Sequence, residues 1–198
     1  MPRGFTETER AQIQARLLEQ GRSFLATYGV RKTSVDDLTA AVGISKGAFY
    51  LFFPSKEELF FTIFEQLEAS YQTELLTLLE RAEGPPRERL RAFFTHAFSL
   101  WRSSPLFRHF GREEFDYLAR KLPPERLANN LHRDEHFVAA LLERWRAQSI
   151  AIDIAPDLFT GLMRALFFVS LHAADIGPLY PQTIELLIDT LVVRISNT

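Results

Sequence analysis

"VGISKGAFYLFFPSKEELF", residues 42–60, decides how the rest of the chain is read. Its front, Ser45-Lys46-Gly47-Ala48, is small or polar. A glycine inside a helix costs about 1 kcal/mol relative to alanine. Five apolar or aromatic residues follow, Phe49-Tyr50-Leu51-Phe52-Phe53, and Pro54 ends the run. At about 100° per residue, Phe49 and Phe53 share a face with Phe52 alongside, while Gly47, Tyr50 and Leu51 point the other way. The pattern predicts a short helix, 45–53, with an apolar anchor behind and an unencumbered front.

Upstream, Ser34-Val35-Asp36-Asp37 resembles a capping box with Asp in place of Glu, opening a helix over 34–42 that Gly43 terminates. Two short helices about a tight turn at Gly43-Ile44 form a helix-turn-helix. In one reading the bare front of 45–53 enters a major groove, whose floor demands small side chains and free backbone N–H groups. Lys46, the Ser45 hydroxyl and the helix N-terminus would then attract phosphate. In the other reading the pair is a helix hairpin with an ordinary buried aromatic cluster. The local pattern leaves both open.

The remainder predicts an all-α chain, without period-two strand patterns or Asn-Gly hairpin turns. Thr6 or Thr8 caps a first helix that ends at Tyr28-Gly29. Ser55-Lys56-Glu57-Glu58 is a capping box that opens a helix to about Arg81. Gly84-Pro85-Pro86 breaks the chain before a helix over 87–103. Ser103-Ser104-Pro105 starts an irregular helical stretch to about Lys121, and Pro123-Pro124 precedes a long helix to about Gln148. Helices over 156–176 and 183–196 follow, punctuated by Gly177-Pro178 and Pro181. Helix 156–176 is apolar on two stripes, one through Leu158, Leu162 and Val169, the other through Phe159, Met163, Leu166 and Phe167. The last helix doubles this pattern, so each needs a second surface to cover it.

With 198 residues and no cysteine, neither a disulfide framework nor a thiolate metal site is available. The amino-terminus is too polar for a signal peptide, and "ALFFVSLHAA" at 165–174 is about half a membrane span. A cytoplasmic protein with no membrane partner is expected. The net charge of −2 gives no global pull toward nucleic acid. Residues 1–56, however, carry eight Lys/Arg against five Asp/Glu, or +3, and residues 57–198 carry fifteen against twenty, or −5. A basic end on an acidic body fits a local anion-binding face.

"TSVDDLTAAVGISKGAFYLFFPSKEELF", residues 33–60, strongly resembles the DNA-binding signature of the tetracycline-repressor (TetR) family. The match runs through Thr33, Asp37-Leu38, Ala41, Gly43-Ile44-Ser45, Gly47, Phe49-Tyr50, Phe53, Ser55-Lys56-Glu57 and Leu59. The preceding "LLEQGRSFLATYGVRKTS" looks like the family's first helix and its exit, so the likeness covers about the first 60 residues. Leu51 and Phe52 depart from it, standing where polar phosphate-contacting residues and His or Tyr are usual.

The resemblance implies a DNA-binding domain over 1–54, and a helical effector-binding and dimerisation domain over 55–198. It also implies a homodimer on a palindromic double-stranded DNA operator, regulated by a small-molecule effector. Thr33, Tyr50 and Lys56 would contact phosphates, and Ser45, Lys46, Gly47 and Ala48 would face base edges or their flanking phosphates. Residues 55–198 hold thirteen of eighteen Phe and both Trp. Phe64, Phe94, Phe98, Trp101, Phe137 and Phe168 are candidates to line a cavity for an apolar or aromatic effector.

No nucleophile motif, phosphate loop or HExxH appears, so no enzyme and no cofactor is expected. His132 and His136 have the i, i+4 spacing of paired ligands, with His109, Glu113 or Asp116 as a third. Their surroundings, "NNLHRDEHF", read as a solvated helix start, and no metal is assigned. His96 and His172 lie on apolar faces. Two alternatives remain: a DNA-binding regulator without a small-molecule effector, or an all-α apolar-ligand carrier or enzyme that shares the helix-turn-helix.

Overall fold

The first helix begins where two side chains satisfy each other's backbone. The Thr6 hydroxyl accepts from the Glu9 N–H at 3.2 Å, and the Glu9 carboxylate accepts from the Thr6 N–H at 2.8 Å. The computed structural model describes residues 5–103, 112–150 and 152–196, with backbone alone at 101, 102 and 112.

Helix α1 spans Glu7–Lys32 and is kinked at Gly29, whose φ of 76° and ψ of 174° leave the helical region. From sequence the helix ends there; instead the chain resumes one further helical turn, Val30 to Lys32. Helix α2 spans Val35–Val42, capped by Ser34 and Asp37 and closed by Gly43 at φ 75°, as the sequence predicts. Helix α3 is Lys46–Phe49, shorter than the expected 45–53. Beyond Phe49 the bonding tightens: Leu51 and Phe52 donate to Ala48 and Phe49, three residues back, at 3.1 and 2.9 Å.

Helix α4 spans Lys56–Arg81, and the Ser55 hydroxyl accepts from the Glu58 N–H at 3.2 Å. Then come α5 (Pro86–Ser103), α6 (Arg112–Lys121) and α7 (Pro124–Ala147). Helix α8 (Pro156–Leu171) stops short of the expected Ile176, breaking at His172 before α9 (Ala173–Ile176) and a 3-10 turn at Gly177–Leu179. Helix α10 is Tyr180–Ile195, starting three residues before the predicted Thr183. Pro181 initiates it, because in a first turn the missing N–H has no partner to lose. Among the described residues there is no strand, only an isolated bridge between Ile152 and Ser196, so the chain is all-α. No single described helix is long and apolar enough to cross a membrane.

The chain forms two compact units, residues 1–67 with 113–122, and 68–112 with 123–198. This differs from a boundary at Pro54: the start of α4 and all of α6 group with the amino-terminal helices. The reason lies in the first unit's core, where Leu17, Leu25, Leu38, Phe49, Leu59, Phe60, Ile63 and Leu118 are buried. Helices α1 and α4 cross at Gly21, where a Cβ would lie 2.6 Å from Ile63 Cδ1 and 2.8 Å from Leu59 Cδ2. The second unit is built on Phe93, Phe94, Trp145 and Phe159, with ring centroids 4.9 Å apart for Phe93 and Trp145 and 5.7 Å for Trp145 and Phe159.

One polar cluster interrupts that second core. Glu68 of α4 accepts from Asn130 Nδ2 of α7 at 2.6 Å. Burial, then the neighbouring Asp134 charge, pushes the Glu68 carboxyl up to about 8, and the two acids share a hydrogen bond. Arg133 and Arg164 face the pair and temper the effect. The folded protein therefore keeps a proton that the unfolded chain releases above its ordinary value of 4.5. Stability from this group is complete below that value and is lost as pH rises through about 8. In chemical denaturation the protein should lose on the order of 2 kcal/mol between pH 6 and pH 9. Glu68→Gln should flatten that part of the profile, and an unchanged slope in the variant would show the proton is held elsewhere.

Candidate nucleic-acid interface

Helix α3 is anchored by its back. Phe49 is fully buried and Phe53 nearly so, with ring centroids 6.1 Å apart. Ser45 caps the front, its hydroxyl accepting from the Ala48 N–H at 3.1 Å. Ser45, Lys46 and Gly47 are exposed, Ala48 is half-buried, and Tyr50 is 50% exposed with its ring edge-on to Phe49. At Gly47 a Cβ would meet only Ser45 Oγ, at 4.0 Å, and φ is not positive. Nothing within the chain requires glycine here, and the open space lies outside.

The departure at Phe52 has a structural account, whereas the Leu51 side chain is 58% exposed and nothing in the structure explains it. Phe52 packs against Phe5, centroids 5.9 Å apart, and the Arg10 guanidinium lies 5.3 Å from its ring centroid. Arg10 Nη2 also donates to the Leu51 carbonyl at 3.3 Å. The chain just beyond α3 is held by Phe5, ahead of α1, and by Arg10 of α1. Arg10 carries no local sequence signal for this; it lies 41 residues away.

Two expected phosphate contacts need correction. Thr33 is 1% exposed, and its hydroxyl donates to the Gly29 carbonyl at 2.8 Å, so the side chain closes the α1 kink from inside. Lys56 Nζ donates to the carbonyls of Val30 (3.0 Å), Arg31 (3.3 Å) and Thr33 (2.6 Å). An ammonium has three N–H donors, and here each has a partner. Lys56 caps the end of α1, where carbonyls lack intrahelical donors and the dipole favours a cation. Lys46 is instead on the surface, paired with Asp36 of α2 at 3.0 Å, both side chains exposed.

Helix α6 packs on the same kink. Arg31 Nη1 meets Glu113 Oε2 at 3.2 Å. Burial pushes the Glu114 carboxyl up, and the backbone N–H groups of Arg31 and Val30 oppose this by favouring its charge; its Oε2 is buried without a hydrogen-bond partner. The Tyr117 hydroxyl donates to Glu57 Oε1 at 2.6 Å, and Lys56 Nζ lies 5.9 Å from the Tyr117 ring centroid. Burial, then the hydrogen bond to Glu57, pushes the Tyr117 phenol up to about 12, so it stays protonated and donating.

The described aromatic candidates stand in different surroundings. Phe64 belongs to the amino-terminal unit, stacked on Phe61 at 5.8 Å and edge-on to Phe115 at 6.2 Å. Phe94 is fully enclosed between Phe93, Trp145 and Phe159. Phe137 packs on that core half-buried, and Phe168 is 43% exposed. Phe98 lines an open depression of about 500 Å³ between α5 and α10, with Thr95, Ser99, Tyr180 and Ile184. The Trp101 side chain and His109 lie outside the described residues. His132 pairs with Glu135 at 3.1 Å and His136 is exposed. Among the described residues no three His, Asp or Glu side chains converge as metal ligands would. His96 lies 3.4 Å from Glu74, and His172 Nδ1 2.8 Å from Asp175 at the helix break.

The open space at Gly47 makes a stability prediction. Gly47→Ala should raise stability by up to about 1 kcal/mol through helix propensity alone. Thermal melts checking this should show no decrease; a decrease would mean that glycine serves the fold.

Residues 17–63 match the family described as bacterial regulatory proteins, tetR family. The HTH-type transcriptional repressor DhaR of Mycobacterium sp. strain GP1 is 28% identical over 157 residues, 79% of each chain. The HTH-type transcriptional regulator EthR of Mycolicibacterium smegmatis is 27% identical over 139 residues, 70% of this chain and 58% of that one. The crystal structure of a TetR-family transcriptional regulator from Pectobacterium atrosepticum superposes with a TM-score of 0.69 at 20% identity, over 96% of this chain and 95% of that one. An anchored α3 with a bare front, a family match spanning that helix-turn-helix, and relatives that are transcriptional regulators lead to one conclusion: residues 17–63 are a helix-turn-helix segment of the TetR type, and the chain as a whole resembles the bacterial transcriptional regulators that carry it.

Proposed function

We propose that the protein is a homodimeric transcriptional repressor of the cytoplasm that binds a palindromic operator through α3 and is released by a small apolar or aromatic effector. The observation that carries this reading is the exposed strip Ser45-Lys46-Gly47-Tyr50, with open space where a Gly47 side chain would stand. A groove floor needs that clearance, and phosphates on either side need the lysine and the phenol. Two such helices would reach half-sites about 34–36 Å apart, or a multiple of that. Repression is the role carried in the name of the DhaR relative.

The dimer is supported by apolar side chains left in solvent on two helices of one unit: Leu158 and Phe168 on α8, and Leu186, Leu187 and Val193 on α10. Monomeric proteins seldom leave contiguous apolar patches of more than a few hundred Å² uncovered. For the effector, the depression beside Phe98 offers an apolar side of Phe98, Tyr180, Ile184 and Ile188 with Arg91 and Glu185 at its edge. A second reading, regulation without a small molecule, is favoured by the dry packing of Phe93, Phe94, Trp145 and Phe159 in the second unit.

Gel-shift of the full-length protein on the region upstream of its own gene tests the reading. Binding that prefers this duplex over scrambled sequence supports it, and equal binding overturns it. Gly47→Ala should weaken the specific complex about tenfold or more, since a methyl group meets the groove floor. Lys46→Ala should weaken binding to all sequences alike and flatten the slope of log K against log[salt] by about one unit per site. Because Asp36 competes with phosphate for Lys46, Asp36→Asn should raise affinity by a few-fold at most, the scale of an exposed pair.

Phe168→Glu tests the assembly. A carboxylate in the seam, unpaired and desolvated, costs several kcal/mol. The variant should sediment as a monomer and lose operator binding, because nothing joins the two half-sites. A dimeric variant would remove Phe168 from the interface, and a monomeric unmodified protein at micromolar concentration would overturn the dimer.

A further inference from the structure

We propose that Glu114 and Tyr117 of α6 are positioning residues for operator binding: with Lys56 they fix the hinge at residues 29–33, through which α1 passes the chain to the helix-turn-helix. The inference rests on the operator-binding reading above. It reaches outside the segment that matches the family, residues 17–63.

The hinge is a short path with one direction to set. Gly29 leaves helical geometry at φ 76°, the chain makes one further turn, and Ser34 immediately caps α2. Helix α3 follows α2 after one tight turn, so a rotation anywhere in 29–33 swings the recognition helix. Unrestrained, a glycine joining two helical segments permits such rotation.

The restraints act on both polar edges of the same backbone. From α4, Lys56 takes the carbonyls of Val30, Arg31 and Thr33. From α6, the Glu114 carboxylate stands against the kink: Oε1 lies 2.7 Å from where a Gly29 Cβ would be, Oε2 is buried without a hydrogen-bond partner, and the backbone N–H groups of Val30 and Arg31 favour its charge. Carbonyls held by a cation and amides faced by an anion define the orientation of the peptide planes between them.

Tyr117 ties the two restraining helices together. Its hydroxyl donates to Glu57 at 2.6 Å, one residue from Lys56, and its ring lies 5.9 Å from the Lys56 ammonium. Glu113 adds an ion pair to Arg31, though both side chains are largely exposed and this contact is weak. Phe115 meets Phe64 edge-on, and Leu118 and Leu122 are buried, so α6 is seated by its apolar face and presents the polar pair from a fixed base.

A positioning role and a merely structural one make different demands on DNA binding. Contacts to non-specific duplex depend on charge and tolerate a tilted α3; a specific site requires the helix in register with the base edges. The test compares full-length Glu114→Ala and Tyr117→Phe with the unmodified protein. It uses a duplex selected by the unmodified protein from a random pool, and scrambled duplex of the same length, well below the melting temperature of each variant. Tyr117→Phe keeps the ring and loses only the hydroxyl, so it remains informative if Glu114→Ala folds poorly.

Specific affinity should fall about tenfold for Glu114→Ala and several-fold for Tyr117→Phe. Affinity for scrambled duplex and the salt slope should stay unchanged. Equal specific affinity in unmodified and variant proteins overturns the proposal, as does a parallel loss on both duplexes, which marks damage to the fold. If the unmodified protein selects no sequence, the operator-binding reading fails first and this inference falls with it.

Discussion

Three backbone carbonyls at the end of α1 converge on one ammonium, and the amino-terminal unit is organised around that meeting. Lys56 has its charge on the first turn of α4 and its partners at Val30, Arg31 and Thr33, more than twenty residues upstream. A helix end rich in unpaired carbonyls is normally left to water or to a glycine cap. Here Gly29 has already been spent on the kink, and the turn beyond it ends at a Thr33 that is buried. A buried helix terminus without donors would be unstable. The lysine supplies them, and in doing so fixes the start of α4 against the exit of α1.

The recognition helix benefits from the same economy of contacts. Lys46–Phe49 is a single turn, too short to persist alone, since nucleation outweighs what one turn returns. Its order is imposed from outside: a serine cap at one end, two buried phenylalanines behind, and Arg10 gripping the carbonyl of Leu51 at the other end. What it offers outward is consequently small. A short, rigid, externally held turn can present glycine on its front without the flexibility that glycine would bring to a freestanding helix.

Much of this was legible from sequence where the physics is local. The capping box at Ser34, the serine cap at Ser55, the left-handed Gly43 and the anchoring face of Phe49 and Phe53 follow from neighbours within a few residues, and the structure places them as the pattern predicts. The inward partners of Lys56 and Thr33 were not legible because a family motif states which residue stands at a position, not which way it points. A lysine at a helix start suits a phosphate from outside as well as carbonyls from inside, and only the path of α1 decides between them. Glu114 and Tyr117 were invisible as partners of the helix-turn-helix, since nothing in "REEFDYLARK" points 60 to 85 residues back. The aromatic candidates failed in a different way. Composition counts phenylalanines but cannot sort those that fill a core, as Phe94 does, from those left on a surface, as Phe168 is.

Gly29 is constrained twice, by unrelated causes. Its φ of 76° with ψ of 174° lies in a region that glycine alone occupies without strain. A Cβ there would also sit 2.7 Å from a Glu114 oxygen, which would have to swing aside. The acid and the kink are fitted to each other across 85 residues of chain, but the backbone is the stricter of the two constraints. Across related chains glycine at the kink should therefore persist even where the carboxylate has gone.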